Sequence, residues 1–78
     1  MLHHFEGALI VENPAEILRE EEGAFEVISP FGHVFSVTCR RGTKMQVHEV
    51  GEVANWVAPA SGCAWRIKRI AAASAHAA

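Results

Sequence analysis

Three segments of this chain alternate side chains with the two-residue period of a β-strand. In "AFEVIS" (24–29) Phe25 and Val27 alternate with Glu26 and Ile28. In "HVFSVTC" (33–39) Phe35, Val37 and Cys39 alternate with Val34, Ser36 and Thr38; in "TKMQVHEV" (43–50) Met45 and Val47 alternate with Lys44, Gln46 and His48. A period of two sends alternate side chains to opposite faces of a sheet. The connections "PFG" (30–32) and "RRG" (40–42) suit three-residue hairpin loops, in which a type I turn precedes a left-handed residue that glycine fills without steric cost. Pro30 also supplies the φ that the first turn position wants. Loops of this length pair Val27 with Phe35 and Phe25 with Val37, then Val37 with Met45 and Phe35 with Val47. Turn and pattern agree, because a one-residue slip would expose all these side chains. The expectation is a three-strand antiparallel meander with one apolar face.

The flanks are read from shorter signals. "EGALIVE" (6–12) is an apolar run suited to a strand. "NPAEILREEEG" predicts a short helix near residues 14–22, capped by Asn13, with Pro14 at its first position, Glu16 where a capping box wants a carboxylate, and Gly23 as its stop. Glu20, Glu21 and Glu22 oppose that reading, since they put negative charge at the negative end of the helix dipole. So short a helix must dock through Ile17 and Leu18. "GEVANWVAPASG" leaves 52–58 open between strand, helical turn and loop. "CAWRIKRI" reads as a last strand with Trp65 and Ile67 inward and Arg66 and Lys68 outward; a helix running through 63–76 is the alternative. Residues 1–70 form a single small domain and 71–78 a low-complexity, alanine-rich tail.

The sum is an α+β or mainly β fold: a small antiparallel sheet of four to six strands, curled or closed as an SH3-like barrel, with one short helix. The segment "NWVAP" before a terminal strand is similar to the closing turn of SH3 domains. The paired tryptophans and the acidic–aromatic opening of that family are absent, so only the barrel shape follows, and no binding residue.

Composition narrows the classes. At 78 residues and 50% hydrophobic, the chain has room for one domain and enough apolar surface for a core. No segment resembles a signal peptide or a membrane span, and two cysteines far apart suggest no disulfide framework. A cytoplasmic location is expected. Charge is divided: residues 1–32 hold seven glutamates and one arginine, net −6, and residues 33–78 hold six basic residues and two glutamates, net +4.

Chemistry-bearing residues are sparse. Cys39 lies between His33 and His48 in sequence, but His33 is six residues away, roughly 20 Å at strand rise, and His48 falls on the other face. A zinc site needs all its ligands within about 2–2.3 Å of the ion, so Cys39 reads as a buried structural thiol. His3 and His4 lie near the terminus. His33 is expected opposite Glu49 as a cross-strand pair rather than an acid–base pair, because no nucleophile is near. Cys63 is a reactive thiol only if a histidine folds against it. There is no phosphate-binding glycine loop or dinucleotide fingerprint, and no cofactor, metal or small molecule is inferred.

The functional expectation is therefore a non-enzymatic binding module acting through a protein partner or self-association, most simply as a dimer. Its candidate contact residues are Trp56, Val57 and Phe31, with Glu20, Glu21 and Glu22 of one chain facing Arg40 and Arg41 of another. The alternative is nucleic-acid binding by the basic C-terminal half, through Arg40, Arg41 and Lys44 at a hairpin tip and Arg66, Lys68 and Arg69 on the last strand. Against it, Phe25, Phe35 and Trp65 face the core, whereas single-strand binders set aromatic rings on the open face.

Overall fold

The computed structural model describes residues 7–58 and 64–72. They form β1 (Ala8–Val11), α1 (Pro14–Leu18), β2 (Gly23–Ile28), β3 (His33–Cys39), β4 (Gln46–Glu52) and β5 (Trp65–Ala72). The strands make one five-stranded sheet in the order β1-β5-β2-β3-β4. All four pairings are antiparallel. The sheet is open, with β1 and β4 at its two edges, so the barrel alternative is corrected. The second open choice also closes: 65–72 is a strand, and it runs past the expected boundary at residue 70. Glu52 ends β4, and the chain from 53 to 58 is a loop with Asn55 left-handed at φ 54°.

The first hairpin has the expected register. Phe25 lies opposite Val37 and Val27 opposite Phe35. Its turn is made by Ser29, whose backbone N–H donates to the His33 carbonyl (2.9 Å) and whose carbonyl accepts from Gly32 N–H (3.0 Å). The Ser29 hydroxyl oxygen also accepts from the N–H groups of Phe31 and His33, each at 3.1 Å. Gly32 takes the left-handed position at φ 88°.

The second hairpin corrects the expectation. Gly42 is left-handed (φ 76°) and Thr43 N–H donates to the Arg40 carbonyl at 3.1 Å, as the turn residues imply. Pairing resumes later, however, with Thr38 opposite Gln46, Val37 opposite Val47 and Phe35 opposite Glu49. The slip is two residues from the expected Val37–Met45 pairing. An even slip preserves the face of every side chain, which is why the pattern alone could not detect it.

Helix α1 is shorter than expected. Asn13 caps it, its side chain accepting from Glu16 N–H at 3.4 Å, and Pro14 opens it. It stops at Leu18 with Arg19 as its C-cap. Glu20, Glu21 and Glu22 follow the helix at its carboxyl end, where Arg69 and Arg41 offset the charges of Glu21 and Glu22. Gly23, expected as the stop, is the first residue of β2. One apolar cluster unites Leu18 with Phe25, Val27, Val37, Cys39 and Ile67, and Val11, Ile17, Phe35, Met45 and Trp65 pack against it.

Candidate functional site

Strand β4 differs from its neighbours in that all seven of its residues are exposed. Among the described residues it pairs with β3 alone, so its outer edge presents a row of backbone N–H and C=O groups. On the core-side face Val47 sits opposite buried Val37 yet is 53% exposed. The reason is the position of α1, which lies over the core beneath Leu18 and leaves the β3–β4 end of that face uncovered. The result is an open groove of about 170 Å³ lined by Pro14, Leu18, Phe35, Met45, Val47 and Trp65 among others. Its floor is aromatic, with the Phe35 and Trp65 rings tilted at 40° and 6.2 Å apart.

A bulge shapes the far end of this edge. Phe35 pairs with Glu49 but Val34 pairs with Gly51, which makes Val50 the extra residue. Regular alternation would put Glu49 and Glu52 on opposite faces; the extra residue brings both to His33. The His33 Nδ1 lies 3.1 Å from Glu49 and 3.8 Å from Glu52. The expected His33–Glu49 contact is thus made, although His33 is registered against Glu52.

The acidic triplet after α1 is engaged within its own chain. Glu21 has a fully buried side chain in an ion pair with Arg69, and Arg69 donates to the Glu22 carbonyl at 2.9 Å. The Arg69 guanidinium also lies 4.7 Å from the Phe25 ring centroid. Glu22 meets Arg41 at 3.1 Å. Of the acidic candidates only Glu20 is exposed, and the pairing of Glu22 with Arg41 occurs inside one chain rather than between two. Arg69 belongs in sequence to the basic group of the last strand, but alternation places it on the side of Trp65 and Ile67, away from Arg66 and Lys68. A basic residue on a core-facing position is the signal that a buried carboxylate must follow it there.

Glu20, Glu21, Glu22 and Arg41 line a polar cleft of about 360 Å³ between the end of α1 and the β3–β4 turn, with Cys39 and Met45 also lining it. Cys39 faces the core as expected and is buried. Burial pushes its thiol above the ordinary range, Glu21 adds to that, and Arg69 opposes it. A thiol held protonated is a poor nucleophile and a poor metal ligand. Among the described residues no three of His, Cys, Asp and Glu are grouped to hold a metal ion, and Cys63, His3 and His4 lie outside the described residues.

Trp56 closes the other end of the sheet. Its indole N–H donates to the Pro30 carbonyl at 2.8 Å, and Val53 N–H donates to the Gly32 carbonyl at 2.9 Å, so the loop folds back on the first turn. The Arg66 guanidinium lies 5.6 Å from the Trp56 ring. Trp56 is half-buried by these contacts, whereas Val57 is 83% and Phe31 80% exposed. Arg40, Lys44, Arg66 and Lys68 are exposed, and Lys68 stands opposite Glu26. Among the described residues no helix is long and apolar enough to cross a membrane. No protein-family model, no curated protein and no solved structure matches this chain.

Proposed function

We propose that this chain is a non-enzymatic binding module that receives an extended segment of a protein partner on the β4 edge. The observation that carries the reading is β4 itself, a seven-residue strand exposed along its whole length beside an apolar groove. Strand addition takes affinity from main-chain hydrogen bonds and specificity from pockets that accept alternate side chains. The groove suits that use by size. At about 170 Å³ it lies below the roughly 300–1,000 Å³ of small-molecule sites and matches one or two apolar side chains. The polar cleft is larger, but three of its lining charges are engaged within the chain by the Glu21–Arg69 and Glu22–Arg41 pairs.

Nucleic-acid binding is the second reading, supported by exposed Arg66 and Lys68 on one face and by Phe31 at a turn. Glu26 beside Lys68 and the withdrawal of Arg69 weaken that basic surface. Affinity for phosphate polymers that falls steeply with salt would favour it.

The test of the first reading is selection from a displayed library of random peptides, followed by amide chemical-shift mapping. Ligands with alternating apolar positions that shift β4 and groove amides are expected, and Val47→Lys should abolish them. Enriched ligands that perturb only other surfaces, or none that depend on Val47, would overturn it.

A further inference from the structure

We propose that the segment received on the β4 edge carries an apolar residue opposite Val47 and an arginine or lysine two positions along, opposite Glu49. The assignment rests on the reading of β4 as the binding edge and names the chemistry of its ligand. Alternate residues of a strand share a face, so the spacing is two in either strand direction. Val47 stands opposite Val37 and Glu49 opposite Phe35, which puts both on the core-side face. Phe35 also lines the apolar groove. The groove therefore ends against the Glu49 carboxylate, and one face of a partner strand meets both.

The bulge sets the charge at that end. It brings Glu49 and Glu52 to 3.1 and 3.8 Å from the same His33 Nδ1. Two carboxylates against one imidazole leave the corner negative, whether the ring is neutral or carries its single charge. The Glu49 and Glu52 side chains are 54% and 69% exposed, and among the described residues His33 is their only ion-pair partner. A carboxylate accepts several donors, and Nδ1 has one proton to give. Capacity for a second cation remains.

Arginine meets this corner best, because its planar fork of donors can reach two carboxylates at once. Lysine supplies the same charge as a point, and an acidic residue opposite Glu49 would be repelled. None of the residues lining the groove is charged, so beside it an apolar side chain is the match. Regular pairing of β4 covers Gln46 to Glu49 and breaks at Val50. The basic residue thus falls at the end of the paired segment, where a long side chain can turn toward Glu52.

The test is to sequence those peptides, selected from the displayed random library, whose binding is lost with Val47→Lys. Arginine or lysine two positions from the apolar residue should be enriched. Replacing that base with glutamate in a synthetic copy should weaken binding to the wild-type chain about fivefold or more, and less at high salt. Glu49→Lys combined with Glu52→Lys should invert the preference, so that the glutamate peptide binds more tightly. Ligands that depend on Val47 but have no base at that position, or that bind equally well after it is exchanged for glutamate, overturn the proposed chemistry and leave the binding edge standing. The peptide-side exchange reads this on the wild-type chain, whatever the fold of the double variant. A library that gives no ligand dependent on Val47 overturns both.

Discussion

Arg69, near the end of β5, and Glu21, just past α1, form an ion pair across 48 residues of chain, with the Glu21 side chain fully buried. The pair fastens the last strand to the segment that leaves the helix. It also fixes where the acidic triplet goes, because Glu21 turns inward, Glu22 reaches Arg41, and Glu20 is left at the surface.

Removing one partner of a buried pair leaves the other charged and desolvated, which costs about 3–5 kcal/mol. Arg69→Leu should therefore lower the unfolding free energy by that amount in urea titrations. Set against a total on the order of 4–12 kcal/mol for a chain of this length, this threatens folding. Replacing both partners with apolar residues, Glu21→Leu with Arg69→Met, should recover most of the loss. A single Arg69→Leu variant as stable as wild type would show that the pair contributes nothing.

Cys39 predicts a pH dependence. Its folded-state pKa is raised by burial and by Glu21, so the folded chain holds the thiol proton more tightly than the unfolded chain does. That stabilisation is fully present below the unfolded value of about 8.5 and is lost as pH rises from there through the folded value. Stability measured by urea should fall above pH 9 with a slope that Cys39→Ala reduces. Equal slopes in the two proteins would refute the assignment.

Gly32 predicts a backbone effect. At φ 88° an added Cβ would lie 2.7 Å from the Trp56 Cγ. Gly32→Ala should cost at least about 1–2 kcal/mol from the left-handed backbone alone, and more because the indole must move. Trp fluorescence of the folded variant should shift as Trp56 leaves the Pro30 carbonyl. An unchanged spectrum with unchanged stability would contradict this contact.

Phe25 and Val47 should separate folding from binding. Phe25 is fully buried, and Phe25→Ala should cost about 3–5 kcal/mol. Val47 shares its sheet face but is 53% exposed, so Val47→Lys should change stability by no more than about 0.5 kcal/mol while removing binding at β4. A Val47→Lys variant as unstable as Phe25→Ala would place Val47 in the core instead.

What the amino-acid order determined by itself is local. Alternation marked β2, β3 and β4 and assigned the core-side faces of Phe25, Val27, Phe35, Val37 and Cys39. Ser29 to Gly32 set the first register, because a three-residue turn with a left-handed glycine allows one pairing. Asn13 and Pro14 marked where the helix begins. The tertiary structure decided the rest. The second hairpin slipped by two residues, a choice to which face alternation is blind. The helix ended at Leu18, and Glu21 three residues on is buried in an ion pair with Arg69, a partner 48 residues away. Trp56, which the sequence leaves open between a contact with a partner and a plug for its own sheet, donates to the Pro30 carbonyl of its own chain. Val47 reads in sequence as one more core residue. It became the exposed centre of an edge because strand order put β4 last and the short helix does not reach over it, and strand order is a property of long-range packing that no local period encodes.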